Sequence, residues 1–286
     1  MSSARADVTG FFHQPTGSVS YVLADPATRR AAVIDAVLDF DQASGRTSTG
    51  FADAICDHVE KAGLGVDWVL ETHAHADHLS ASQHVKARLG GSLGIGEHIR
   101  AVQQCFAKLY NIACPGTDGF DHLFKDGERF AVGTIEADVM HTPGHTPACL
   151  SYHAGDAVFC GDTLFMPDYG TARCDFPGGS AETLYRSIRR LLDLPAGTRI
   201  FCGHDYQPGG RPPAWASTVG QQRVANKHVR DGIDAGQFAA MRRARDATLG
   251  MPQLLWPSVL VNIDAGRLPK AEGNGVAYLK LPLNAV

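Results

Sequence analysis

The segment Thr72-His73-Ala74-His75-Ala76-Asp77-His78 places three imidazoles and a carboxylate within six residues. Imidazole nitrogen and carboxylate oxygen are donors for zinc, iron or manganese. The plain alternative, a helix cap on a solvated loop, does not account for that density of ligand types. In an extended segment alternate residues point the same way. His73 and His75 can therefore reach one site, and the turn after them brings Asp77 and His78 to an adjacent one. Three later segments add to the set: Thr142-Pro143-Gly144-His145-Thr146-Pro147, Phe159-Cys160-Gly161-Asp162-Thr163-Leu164-Phe165, and Phe201-Cys202-Gly203-His204-Asp205-Tyr206. Singly, each holds an ordinary turn or cap residue. Together they bring the candidate ligands to seven: His73, His75, Asp77, His78, His145, Asp162 and His204. Each is expected at the end of a strand, where an α/β sheet gathers its site. His13, His58, His84, His98, His122, His153 and His228 lack such a context and read as surface or satisfied groups. His141 precedes a turn motif and reads as an outer hydrogen-bond partner of a ligand.

Strands must deliver these residues. The apolar run Val66 to Glu71 leads into the histidine cluster, and Thr134 to His141 leads into the turn holding His145. Ser18 to Leu23, Ala31 to Ala36, Glu128 to Val132 and Thr198 to Cys202 read as further strands. Leu150 to His153 and Ala157 to Cys160 read as a hairpin about Gly155-Asp156. Helices are expected over Phe51 to Ala62, Ser82 to Leu89, Glu97 to Tyr110, Ser180 to Leu192, Thr218 to Arg230 and Gln237 to Leu249. Ser180 is placed to cap its helix, and Glu182 suits the positive end of the dipole. Asp39 to Gly50 is polar and Gly/Ser-rich and reads as a loop. The tail, with Pro252, Pro257, Pro269 and Pro282, reads as irregular but packed. Strands alternating with helices indicate a layered α/β domain.

The chain has 286 residues, 44% of them hydrophobic and 20% charged, with a net charge of −4. Such a balance carries no electrostatic footprint for nucleic acid. The basic stretch Met241 to Arg245 reads as the solvated face of a helix. Seven cysteines are scattered without a CxxC pair, so reduced thiols in a cytoplasm are expected. Met1 to Asp7 has no apolar core of a signal peptide, and no apolar run reaches membrane-spanning length. The expectation is a soluble cytoplasmic protein of a single domain, residues 1–286, with a core over about 15–210 and a helical and irregular extension over about 211–286.

The four ligand motifs, in this order, resemble the metallo-β-lactamase superfamily over about residues 15–210. The resemblance implies an α/β (α+β) fold, the αββα sandwich, with a metal site at one edge. The stretch from Asp162 to Gly179, with Arg173-Cys174-Asp175-Phe176 inside it, is similar to bacterial persulfide (sulfur) dioxygenases, relatives of the human ethylmalonic-encephalopathy protein. Glu182 to Ile188, His204-Asp205-Tyr206, and the tail residues Leu254 to Ser258 with Asn262-Ile263 agree with it. That family implies one Fe(II) per chain held by His73, His145 and Asp162, a 2-His-1-carboxylate set, with zinc as the alternative metal. His75, Asp77, His78 and His204 are then candidates for a second site. The implied reaction oxidises glutathione persulfide with O2 to sulfite and glutathione. Arg173 and Tyr206 match family positions near the substrate, Arg173 to orient the anion and Tyr206 to donate a hydrogen bond. For Arg173 the plain alternative is a salt bridge to Asp175. The family also implies a homodimer or larger, with no nucleic-acid or membrane partner. The loop Asp168 to Ala172 is longer than in human-type relatives. Glyoxalase II, a thioester hydrolase using two metals, shares the ligand motifs and is the rival reading. A non-enzymatic thiol or metal sensor is a third. No cysteine is expected as a covalent nucleophile, and Cys149, Cys160 and Cys202 are expected to be buried.

Overall fold

The computed structural model describes residues 5–285. Of the N-terminal stretch read above, Met1 to Ala4 lie outside the described residues. In chain order the first half runs Asp7–His13 (β1), Ser18–Ala24 (β2), Arg30–Ile34 (β3), Val37–Asp41 (β4), Arg46–Ser48 (β5), Gly50–Lys61 (α1) and Gly65–Leu70 (β6). It continues with Leu79–Ser80 (β7), Ser82–Leu89 (α2), Ser92–Gly96 (β8), Ile99–Tyr110 (α3) and His122–Phe124 (β9). The second half runs Arg129–Val132 (β10), Ile135–His141 (β11), Leu150–Ala154 (β12), Ala157–Phe159 (β13), Ala181–Leu192 (α4), Arg199–Phe201 (β14) and Ala216–Thr218 (β15). Three helices follow: Val219–Ala225 (α5), Ala235–Asp246 (α6) and Leu255–Asn262 (α7).

Each half contributes a six-stranded sheet, ordered β1-β2-β3-β6-β8-β9 and β10-β11-β12-β13-β14-β15. Side-chain alternation along the strands stacks them. In β2, Val19, Tyr21 and Leu23 point into a core shared with Ile135, Ala137 and Val139 of β11 and with Leu150 and Tyr152 of β12. Val22 and Ala24 point the other way, into a core built with Ile55 and Val59 of α1 and Val85 of α2. Successive residues of a strand face opposite sides, so β2 reads as a continuous apolar run because both of its faces are covered. The outer face of the second sheet is covered by Leu184, Ile188 and Leu191 of α4 and Phe238 of α6. The layers are helix, sheet, sheet, helix, the αββα sandwich expected.

Four local expectations are corrected. The stretch Asp39 to Gly50 is not a plain loop, since β4 and β5 pair within it as a hairpin. All of β5 is exposed, and a strand with water on both sides carries no apolar alternation. The helix expected to Arg230 stops at Ala225, where Asn226 turns out of helical geometry. The Asn226 Oδ1 accepts from the His228 and Val229 amides instead. The tail holds a helix, α7, which tolerates Pro257 because the first turn has no amide acceptors to lose. Finally, only part of Met241 to Arg245 is a solvated face: Arg243 and Ala244 are exposed, but Arg242 is buried, 1% exposed. Ser180 caps α4 as expected, accepting from the Thr183 amide at 3.3 Å. Among the described residues no helix is long and apolar enough to cross a membrane.

Candidate metal centre

The strand ends converge at the edge of the sandwich. Asp35, just past β3, accepts the Thr72 amide at 2.7 Å and its hydroxyl at 2.8 Å. A hydroxyl has one proton. With that proton on Asp35, Thr72 Oγ1 accepts from His73 Nδ1 at 3.0 Å, which leaves His73 Nε2 as a bare lone pair. The same reasoning fixes two more rings. His145 Nδ1 donates to the Arg173 carbonyl at 2.7 Å, and His78 Nδ1 to the Leu79 carbonyl at 3.0 Å. The hydrogen bond at one ring nitrogen sets the tautomer and frees the other as a donor to metal. Burial pushes the His73, His145 and His78 pKa values down, that of His78 to about 4, so these rings stay neutral.

Metal fits this arrangement. His73 Nε2 and His78 Nε2 are buried with no protein partner, which a polar atom normally avoids. Ligand atoms of His73, His145 and Asp162 lie within 4.8 Å of one another. Asp162 Oδ2 stands 4.0 Å from His73 Nε2 and 3.7 Å from His145 Nε2.

The remaining candidates behave differently. His204 Nδ1 meets Asp162 Oδ1 at 2.7 Å, and its Nε2 meets Asp77 Oδ2 at 2.6 Å. Ser18 Oγ donates to the same Asp77 oxygen at 3.1 Å. Burial alone would lower the His204 pKa, but Asp162 and Asp77 outweigh it and raise it well above the ordinary imidazole value. His75 turns its Nε2 to Asp35, 3.1 Å away, and Glu71, 3.7 Å away. Against burial, those carboxylates raise its pKa to about 9. Ring alternation does bring His73 and His75 together, with centroids 4.1 Å apart, yet their donor atoms fall into different groups. Of the histidines read as bland, His13 is buried and bonded to Thr16 and Asp39. His141 bonds the Pro147 carbonyl at 2.9 Å, bracing the turn rather than the ring of His145.

A cavity of about 360 Å³ opens beside Asp77, His145 and Asp162. Arg173 and Tyr206 both line it. The Arg173 guanidinium is paired with both oxygens of Asp175 at 2.6 Å and donates to the Gly250 carbonyl at 2.7 Å. Tyr206 is 47% exposed, and its ring lies parallel to that of His204 with centroids 5.5 Å apart. Sequence reasoning missed the outer wall, built by α6 and the turn after it. Arg242 donates to Asp246 at 2.9 Å and to the Thr171 carbonyl at 3.1 Å. Asp246 in turn accepts the Cys174 amide at 3.0 Å. Arg245 lines the cavity over the ring of Tyr169, and Lys227 lies over the same ring. Neither pairs with a carboxylate among the described residues. The available signal was an Arg–Asp pair at i,i+4 on the stripe that begins with Phe238.

Residues 13–204 match the Metallo-beta-lactamase superfamily domain. A probable metallo-hydrolase of Burkholderia pseudomallei is 53% identical over 98% of this chain and 99% of its own length. A beta-lactamase hydrolase-like protein of Xylella fastidiosa is 53% identical over 98% of this chain, which spans 65% of that protein's length. The mitochondrial persulfide dioxygenase ETHE1 of Bos taurus is 28% identical over 80% of this chain and 78% of its own. The crystal structure of ETHE1 from Myxococcus xanthus superposes with a TM-score of 0.74 at 27% identity, covering 91% of this chain and 100% of that one.

Proposed function

We propose that this chain, which belongs to the metallo-β-lactamase superfamily, is an iron-dependent persulfide dioxygenase holding one metal. The overall change would be glutathione persulfide, O2 and water giving glutathione and sulfurous acid. The observation that carries the reading is the double hydrogen bond of His204 to Asp77 and Asp162. A second metal at Asp77, Asp162 and His204 would have to displace both of those hydrogen bonds. His73, His145 and Asp162 are two imidazoles and a carboxylate whose ligand atoms lie within 4.8 Å of one another, the set that suits a non-haem Fe(II) with open positions. Iron there would supply the redox chemistry with oxygen.

The chain's own residues shape the rest. Arg173 would act through its pairing, holding the Gly250 turn against the cavity while its carbonyl orients His145. Tyr206 would donate to the substrate from the cavity wall. Arg245, which lines the cavity without a carboxylate partner among the described residues, suits a carboxylate of a peptide thiol carrier. The cysteines agree with a role for metal rather than thiolate. Burial pushes the Cys149, Cys160 and Cys174 thiols up to about 12 and Cys202 further, where no thiolate is available. The reading takes the chain as one working unit in the cytoplasm. It includes a homodimer or larger.

The rival is a two-metal thioester hydrolase, favoured by the full set of ligand types and by the hydrolase name of the Burkholderia relative. Anaerobic metal analysis, followed by oxygen uptake with glutathione persulfide and by hydrolysis of a hydroxyacylglutathione, separates the two. One iron per chain with oxygen uptake supports the dioxygenase. Two zinc ions with thioester hydrolysis overturns it. Persulfide binding without turnover would indicate a sensor.

A further inference from the structure

We propose that Asn262, on α7, is a positioning residue of the metal centre: it fixes the turn that carries Asp77 and His78, and so keeps Asp77 against His204. The side chain is buried, 4% exposed. Its Oδ1 accepts the Ser80 amide at 2.8 Å, and its Nδ2 donates to the His75 carbonyl at 2.8 Å and the His78 carbonyl at 2.8 Å. A primary amide has two N–H donors, and here both are spent on one turn, at the His75 and His78 carbonyls. Between His73 and His78 that turn makes no backbone–backbone hydrogen bond among the described residues, and the strand after it, β7, pairs only two residues with β4. The backbone of the ligand turn is thus tied chiefly by a side chain from the far end of the sequence.

The anchor itself is well held. The Gln103 side chain donates to the Ile263 carbonyl at 2.8 Å, and that of Gln83 to the Ala265 carbonyl at 2.9 Å. Gly266 has φ +77°, and a Cβ there would come within 3.0 Å of the Ser80 carbonyl, so the chain passes close against β7. Ser or Ala at position 262 would leave two buried carbonyls and one buried amide without partners, and the turn would move to satisfy them. Asp would set its oxygens against two carbonyls.

The inference rests on the reading of a metal at His73, His145 and Asp162, and is independent of the reaction that follows. Asn262→Ser and a control, Gln103→Ala, are compared by anaerobic cobalt(II) titration followed by visible absorption. The same proteins, treated with chelator, are compared by amide hydrogen exchange over residues 73–80. Gln103→Ala cuts a tie of the same tail segment without touching the turn. Asn262→Ser is expected to weaken cobalt binding by about 10- to 100-fold, as loss of an outer partner does, and to speed exchange of the turn, with the Ser80 amide first. Gln103→Ala is expected to lower the melting temperature and leave cobalt affinity unchanged. Wild-type cobalt affinity in Asn262→Ser, or equal losses in both variants, would overturn the proposal. Should Asn262→Ser not fold, the chelated wild type decides: a Ser80 amide protected without metal supports Asn262 as the holder of the turn, and a freely exchanging one overturns it. Failure of the wild type to bind cobalt would count against the metal site instead.

Discussion

On one side of Asp162, His73 and His145 give their Nδ1 protons to oxygens outside the centre and turn bare Nε2 atoms inward. On the other side, both nitrogens of His204 lie against carboxylates, Nδ1 against Asp162 and Nε2 against Asp77. The carboxylate divides accordingly, with Oδ2 toward the first pair and Oδ1 toward His204. The residue types are the same on both sides. What separates a ligand from a brace is the acceptor that each imidazole proton finds, and in a buried site that choice sets the charge.

The sharpest break of this comparison is to delete one imidazole from each side. His145→Ala should lose iron and all oxygen uptake, whereas His204→Ala should keep one iron per chain. Metal analysis beside oxygen uptake checks both, and loss of metal from the two alike would show that the sides are not distinct. Tyr206→Phe touches neither set of hydrogen bonds. It should keep iron and lose about 10- to 100-fold in kcat/KM, the worth of one charge-assisted hydrogen bond. Arg245→Ala should raise KM for glutathione persulfide about tenfold with kcat nearly unchanged, because the contact is made equally in the ground and transition states. A persulfide without carboxylates should show no such change. Cys174→Ser should retain substantial uptake, since its hydroxyl can still donate to Asp246; complete loss with iron kept would assign that thiol a direct role.

The smallest effect comes from a histidine with a fixed tautomer and no place in the centre. His228 Nδ1 accepts the Thr171 amide at 3.1 Å. Burial, then Arg242, Lys227 and Arg245, lower its pKa to about 3, against about 6.5 for an unfolded histidine. A lowered pKa on a base means that the unfolded chain binds the proton more readily. Stability from this group is therefore full above about pH 6.5 and falls as pH drops toward 3. His228→Asn should flatten the fall in melting temperature between pH 6.5 and 4 by up to one proton's worth. An unchanged slope would mean the ring is solvated.

The convergence of the candidate ligands at one edge was legible because density, spacing and strand ends all point one way from residue types alone. The division of labour within it was not, since whether His204 donates or ligates depends on Asp77 and Asp162 arriving from two other strands. Helix lengths failed where a side chain competed with the backbone, as Asn226 does at the end of α5. The β4–β5 hairpin failed because its residues face water. Arg242 looked solvated because its partner, Asp246, and the Thr171 carbonyl belong to contacts that no local pattern displays. The structural match to ETHE1 from Myxococcus xanthus and the bovine relative support the persulfide reading, while the metal's identity rests on the chemistry of the donors.

The tie between Asn262 and the His78 carbonyl spans 184 positions, which gives the centre a timetable. A ribosome adds roughly 5–20 residues each second, so roughly 10–40 s separate synthesis of the ligand turn from synthesis of the residue that sets it, at the same rates. During that interval His73 to His78 are present without their anchor. Whatever metal the nascent chain meets first encounters a looser and less selective group of imidazoles than the finished protein offers.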